Sequence, residues 1–214
     1  MKKSHKILFT VFALLCACAC FADAIKVACV GDSITYGARL QPRDQQCYPA
    51  QLAKILGGGY EVRNFGASGT TALSKGNSPY IQQNQYRDAL NFKPDIVVIG
   101  LGTNDSKSQN MAHIADFERD LSDIAQSFAK LDSKPKIYLC IPMPAFRSGK
   151  QIDAERVRCE IIPRVRKVAE SLGLEIIDLY SRFDGKGDLF PDKIHPNAEG
   201  AKLMAEIVAK KIAK

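Results

Sequence analysis

The chain has 214 residues, 46% of them hydrophobic and 25% charged, with a formal net charge of +7. That balance is the one of an ordinary globular protein, and the length suffices for one sizeable core, as one domain or one domain plus a processed segment. No run of basic residues interleaved with aromatics marks a nucleic-acid surface, so no nucleic-acid partner is expected.

The first element is one to set aside. Lys2, Lys3 and Lys6 open the chain, Ile7 to Phe21 is apolar and small, and Ala22-Asp23-Ala24 has the Ala-x-Ala form of a cleavage site. Residues 1–24 therefore read as a secretory signal peptide and residues 25–214 as the mature domain, exported to periplasm, cell surface or medium. The apolar run falls short of the roughly 18 residues of a spanning helix, so no stable membrane insertion is expected after cleavage. Leu15-Cys16-Ala17-Cys18 loosely resembles a lipobox and keeps a lipoprotein signal open. Cleavage removes three lysines and one aspartate and leaves +5 of the +7. That charge either favours an acidic partner or is a solvated basic surface, as for Lys202, Lys210, Lys211 and Lys214.

The mature chain opens on Lys26–Val30, an apolar run that reads as a buried strand. It ends at Gly31, and Asp32-Ser33 follow at once, which puts a serine on a turn beyond a core strand. Ligands of open parallel sheets bind beyond the carboxyl ends of the strands. Ser33 is thus either a nucleophile or an ordinary turn residue. A helix follows over Tyr48 to Leu56, with Pro49 in its first turn and Gly57-Gly58-Gly59 as its stop. A second strand spans Tyr60–Asn64. The segment Gly66 to Leu90, rich in Gly, Ser, Asn and Gln, reads as a long functional loop. The third strand, Asp95–Leu101, contains Ile96-Val97-Val98-Ile99, apolar throughout as a strand covered on both faces should be.

Ile114 to Leu131 places Ile114, Phe117, Leu121, Ile124, Phe128 and Leu131 at helical spacing. The fourth strand is Lys136–Ile141, and Met143 to Ile152 is a second loop. Glu155 to Leu172 is helical, with Pro163 expected to kink or split it. The fifth strand, Leu174–Asp178, precedes a last helix over Asn197 to Ala213. Strands alternating with helices predict an α/β fold of three layers around a parallel sheet. Four cysteines lie beyond the signal. Cys29 and Cys140 fall in strand-like runs and read as core thiols. Cys47 and Cys159 look more exposed, and an exported chain can pair them if geometry allows. No CxxC or His-Cys cluster predicts a zinc site.

Four pieces fall at or near the carboxyl ends of strands. They are Gly31-Asp32-Ser33, Asn64-Phe65-Gly66-Ala67-Ser68-Gly69, Gly100-Leu101-Gly102-Thr103-Asn104-Asp105 and Asp192-Lys193-Ile194-His195. A serine hydrolase needs a base, a group that orients the base, and donors aimed at the oxyanion. His195 can be the base, and Asp192, three residues earlier, can reach its other ring nitrogen. The N–H groups of Ser33 and Gly66 and the amide of Asn104 can supply the donors. Plainer readings stand beside these. His195 can cap or face solvent, Asp192 can form a turn after Pro191, and Asn104 and Asp105 can be turn formers or a helix cap. Gly66 can serve only a left-handed backbone position. A metal held by Asp32, Asp105, Asp192 and His195 has no ligand spacing to support it. Gly-x-Gly at 100–102 lacks the third glycine and the helix of a dinucleotide site.

Taken together and in this order, the four pieces resemble the four blocks of the SGNH (GDSL-like) hydrolases. The signature residues fall on Ser33, Gly66, Asn104 and His195, and the DxxH motif on Asp192 to His195. The likeness runs through essentially the whole mature chain. Gly-Asp-Ser-Ile stands where many members have Gly-Asp-Ser-Leu, and the Gly-x-Ser-x-Gly elbow of the α/β-hydrolases is absent. The resemblance implies a flavodoxin-like α/β/α sandwich with a five-stranded parallel sheet. It also implies ester hydrolysis through an acyl-serine, with Ser33, Asp192 and His195 catalytic, Ser33, Gly66 and Asn104 as oxyanion donors, and neither metal nor cofactor.

Within that family, Tyr-Pro-Ala-Gln-Leu at 48–52, Val-Arg-Asn-Phe-Gly at 62–66 and Gly-Thr-Asn-Asp-Ser at 102–106 resemble exported bacterial carbohydrate esterases, sialate O-acetylesterases among them. An acetylated carbohydrate is the expected substrate. Arg39, Arg43, Arg87 and Arg147 lie in or beside loops that border the site, where one can meet a sugar carboxylate or all can be surface residues. A lysophospholipase, thioesterase or arylesterase of the same family is the alternative, with Met143, Phe146, Ile152, Leu189 and Phe190 lining an acyl pocket. A non-catalytic glycan-binding protein has no need of Ser33, Asn104, Asp192 and His195 together.

Overall fold

The computed structural model describes residues 24–213. The expected signal peptide, apart from Ala24, lies outside the described residues. Five strands, β1 (Ile25–Gly31), β2 (Tyr60–Gly66), β3 (Ile96–Gly100), β4 (Lys136–Ile141) and β5 (Glu175–Asp178), form one sheet in the order β2-β1-β3-β4-β5. Every neighbouring pair is parallel. The nine helices among the described residues are α1 (Ser33–Tyr36), α2 (Arg43–Gln46), α3 (Tyr48–Leu56), α4 (Asn84–Asn91), α5 (Phe117–Ala129), α6 (Ala154–Arg156), α7 (Ile162–Leu172), α8 (Leu179–Phe183) and α9 (Ala198–Ile212). Short 3-10 turns and one π-helical segment join them.

Strand residues alternate between two apolar clusters, as a period of two requires. Ala28, Val30, Val97, Ile99, Leu139 and Ile141 pack with Leu121, Ile124 and Phe128 of α5 and Val165 and Val168 of α7. Val27, Cys29, Ile96, Val98 and Cys140 point the other way, to Leu52 of α3 and Met204, Ala205 and Val208 of α9. Both faces are thus covered, which is why β3 reads as an unbroken apolar run. The order places β1 between β2 and β3. The chain leaves it for β2 on one side and β3 on the other, and the reversal opens a crevice at the carboxyl ends.

Element boundaries depart from the sequence reading in two places. Part of the segment read as loop from Gly66 to Leu90 is helical: α4 covers Asn84–Asn91, and its buried Ala89 joins the first cluster. Tyr86, Ala89 and Leu90 stand at helical spacing there and face that cluster, in a stretch otherwise polar. The helix expected from Ile114 begins at Phe117, behind a 3-10 run over Ser108–Asp116. Glu155 to Leu172 is not one α-helix but is divided next to Pro163, as that proline predicts. Pro163 sits in the first turn of α7, directly after a π-helical segment, Val157–Ile161. Proline has no N–H to return to the preceding turn, and the wider winding absorbs that loss.

The cysteine pairing is also corrected. Cys47 is buried at 3% exposure in the α3/α9 cluster, whereas Cys159 is exposed in the π-helical segment, and both thiols are free. Asn64 Nδ2 lies 3.5 Å from the Cys47 sulfur. Cys29 and Cys140 are core thiols as expected, and burial pushes the Cys29 pKa up to about 12. No helix among the described residues is long and apolar enough to cross a membrane.

Candidate active site

The site begins with a row of glycines. Gly66, Gly31 and Gly100 stand opposite one another at the ends of β2, β1 and β3. A Cβ on Gly66 would lie 2.2 Å from the Tyr36 nitrogen, and one on Gly31 the same distance from Thr35 Oγ1. Only backbone without side chains lets α1 sit directly on the sheet's edge. Gly66 therefore serves a close approach within the chain, not a left-handed backbone, since its φ is not positive.

Ser33 is not on a free turn. It is the first residue of α1, capped by Asp32, whose Oδ1 accepts from the Ile34 N–H at 2.9 Å. A residue at that position has a backbone N–H with no partner inside the helix. Its hydroxyl is 2.8 Å from His195 Nε2, across 162 residues of sequence. His195 Nδ1 is 2.7 Å from Asp192 Oδ2. The other carboxylate oxygen of Asp192 accepts the backbone N–H groups of Ile194 and His195 at 3.0 and 2.7 Å. The loop thus folds onto its own aspartate and aims the ring. Burial raises the Asp192 pKa, but the hydrogen bonds from the His195 ring and from the two N–H groups outweigh it and hold the group at about 2. With Asp192 ionised, Nδ1 carries the proton and Nε2 is free to accept from the serine.

The three residues expected to catalyse are therefore in hydrogen-bond contact. The two further donors expected at the oxyanion are close to α1 but have partners of their own. The Gly66 N–H donates to Asn64 Oδ1 at 2.9 Å. The Asn104 amide, 2% exposed, donates to the Thr70 carbonyl at 3.0 Å and to Asp32 Oδ2 at 3.3 Å. Burial pushes the Asp32 pKa up to about 6, against the pull of the Ile34 N–H and the charges of His195 and Lys107.

Several residues that hold the site escaped sequence reading. Asn64 also donates to the Thr35 carbonyl at 2.9 Å, tying β2 to α1. Asp105 is neither turn former nor cap. Fully buried, it accepts from the N–H groups of Ala72 and Leu73 at 3.1 and 2.8 Å and pins the loop after β2. Burial lifts its pKa to about 7, against those two donors. Asn110 donates to the Asn104 carbonyl at 2.8 Å and fixes that block from behind. Asn64 lies near the end of β2, Asp105 in the turn after β3 and Asn110 in the 3-10 run that follows, and nothing in their local sequence signals these contacts. Among the described residues, no group of three or more His, Cys, Asp or Glu side chains is placed to hold a metal ion.

Arg39 pairs through Nε with Asp192 Oδ2 at 2.7 Å. Arg43 instead lies over the Tyr36 ring, and Arg87 bonds to Asn84. Arg147 is exposed on the loop after β4. Beside His195 is an open cleft of about 500 Å³, lined by Arg39, Gln41, Gln46, Asp192 and Asn197 among others.

Residues 29–203 match the model of the GDSL-like lipase/acylhydrolase family. An acetylxylan esterase from Xylanibacter ruminicola is 47% identical over 205 residues, a match covering 87% of this chain and 43% of that protein. The chain thus spans less than half the length of this relative. Among solved structures, an acetyl xylan esterase superposes with a TM-score of 0.69 at 23% identity, covering 88% of this chain and all of the other. A carbohydrate acetylesterase from Sinorhizobium meliloti gives 0.68 at 22% identity, with 88% and 98% covered. At such identities these two likenesses show the shared fold.

Proposed function

This chain belongs to the GDSL-like lipase/acylhydrolase family, and from that premise we propose that it is a serine esterase removing O-acetyl groups from extracellular carbohydrate. The observation that carries the reading is the unbroken hydrogen-bond chain Ser33–His195–Asp192 at 2.8 and 2.7 Å. In this mechanism His195 takes the Ser33 proton as Oγ attacks the acetyl carbonyl. The tetrahedral oxyanion collapses, His195 protonates the departing sugar oxygen, and Ser33 is left acetylated. His195 then deprotonates a water that attacks the acetyl-serine and releases acetate. Asp192 keeps the ring in the required tautomer and stabilises the imidazolium.

The Ser33 N–H, the Gly66 N–H and the Asn104 amide receive the oxyanion. Gly66 then shares its N–H with Asn64 Oδ1, and Asn104 shares its amide with Thr70 O and Asp32. A full negative charge is the stronger acceptor, so these donors favour the transition state over the neutral ester. Acetylated carbohydrate as the substrate class is supported by the name of the 47%-identical relative. Export rests on residues 1–24 acting as a signal peptide.

A long-chain lipid or thioester substrate is disfavoured by packing. Met143, Ile152 and Phe190 are buried, and Phe146 lies 5.0 Å from Phe190 ring to ring. The void that Met143 lines with Asp32 and Thr35 is about 20 Å³, room for a water and no acyl chain.

Hydrolysis of p-nitrophenyl acetate, butyrate and octanoate, with Ser33→Ala alongside, tests the proposal. Activity should fall with chain length and drop by about 10⁴-fold or more in Ser33→Ala. A preference for octanoate would sink the acetyl reading. Glycan binding with no Ser33-dependent turnover would leave the non-catalytic alternative.

A further inference from the structure

Arg39 occupies an unusual position for a surface arginine. Its backbone is left-handed, with φ of 69°, and Lys193, on the loop it meets, is left-handed too at the same value. Such conformations strain a non-glycine residue and tend to mark functional segments. Arg39 approaches Asp192 most closely through Nε, 2.7 Å from Oδ2. The two Nη groups have no partner among the described residues, and the side chain is 70% exposed on the wall of the cleft beside His195. Gln41, Gln46 and Asn197 add amides to the same cleft, a lining suited to sugar hydroxyls. A second hollow of about 370 Å³ adjoins it, sharing Arg39, Leu40 and Gln41 and running to Tyr36. The Tyr36 ring is 38% exposed there and is held by Arg43 across one face.

Resting on the esterase reading above, we propose that Arg39 is a specificity-determining residue that holds the carboxylate of a uronic acid in the bound glycan, beside the sugar carrying the acetate. The guanidinium is anchored by one nitrogen and presents two more in a plane, the geometry for a bidentate carboxylate. Anchoring also fixes its direction before the ligand arrives, so less side-chain freedom is lost on binding. Asp192 cannot be displaced by the incoming acid, because its two oxygens are already held by His195 and Ile194. Arg43 and Asp44 both line the adjoining hollow, and Lys193 is exposed on the Asp192 loop. Through Arg39 an acidic glycan is read beside the loop that carries the base.

The test is binding, which needs no turnover. Calorimetry of the protein with a deacetylated xylo-oligosaccharide bearing one glucuronic acid should give about tenfold tighter binding than with the carboxyl-reduced oligosaccharide. The ratio should shrink with added salt, because the site is exposed. It should fall to about one in Arg39→Gln and to an intermediate value in Arg39→Lys, which keeps the charge and loses the fork. Equal binding of the acid and its reduced form, or a preference that survives in Arg39→Gln, would overturn the inference. Hydrolysis of p-nitrophenyl acetate is read in parallel. Its absence would sink the esterase reading, while the binding ratio alone decides the role of Arg39.

Discussion

The two halves of the candidate site are built differently. Ser33 and Asn104 stand just beyond the carboxyl ends of β1 and β3, buried, in blocks fixed by partners far away in sequence. Asp32 meets Asn104 across 72 residues, and Asp105 meets Leu73 across 32. Asp192 and His195 lie on a partly exposed loop whose hydrogen bonds close within three residues. The first half is part of the fold, and the second is a device added to it. Damage to the serine half should therefore cost both stability and activity, and damage to the histidine half mainly activity.

The largest expected effect lies on the histidine half. His195→Ala removes the proposed base and should lower kcat by about 10⁴-fold or more, as in serine hydrolases generally. The thermal midpoint should stay within a few degrees, because a side chain about one-sixth exposed on a self-closing loop leaves no unpaired backbone behind. A large loss of stability in His195→Ala would erase the contrast between the halves.

Next comes Asn104→Ala on the serine half. Loss of one oxyanion donor costs about 10²–10³ in kcat. Here the same change strips Asp32 Oδ2 and the Thr70 carbonyl of their shared donor. Each buried group left unpaired costs about 1–3 kcal/mol, so urea unfolding should show a loss alongside the kinetic one. Asp105→Ala sharpens the point, because Asp105 has no proposed part in the chemistry. It leaves two buried N–H groups of the loop after β2 without an acceptor. A lowered urea midpoint with near-normal kcat in the folded fraction would make it purely structural. A drop in kcat at full stability would assign it to the chemistry.

This division also explains what the sequence could reveal. The parallel sheet was legible because both faces of each strand are covered and the apolar runs say so. Ser33, Asp192 and His195 were legible because each sits in a short motif, and Asp192 reaches His195 by local geometry alone. Asn64, Asp105 and Asn110 were not. Their partners are backbone groups of other segments, and no spacing within the chain predicts which N–H a buried carboxylate or amide will meet. Gly66 was read as an oxyanion donor or a left-handed position, and neither reading foresaw the Tyr36 nitrogen that a Cβ there would strike. The burial of Cys47 follows equally from its tertiary neighbours. Helix α4 was lost because its short stripe of Tyr86, Ala89 and Leu90 lies in a stretch otherwise rich in Gly, Ser, Asn and Gln.

The smallest effect separates the halves by pH. Asp192 is held at about 2, below the ordinary aspartate value of 3.8. An acid with a depressed folded pKa contributes stability above its unfolded pKa and loses it as pH falls toward the folded one. Asp192 should thus cost the protein on the order of 1 kcal/mol between pH 4 and 2, after discounting for its contact with solvent. Asp32 and Asp105 work in the opposite sense. Burial raises them to about 6 and 7. Their protonated forms are favoured in the fold, so they withdraw stability as pH rises from about 4 through those values. Unfolding free energies measured from pH 2 to 8 should therefore pass through a maximum on the acid side of neutrality. Asp192→Asn should flatten only the limb below pH 4. If it flattened the alkaline limb instead, Asp192 would be coupled to the buried pair, and the two halves of the site would be one.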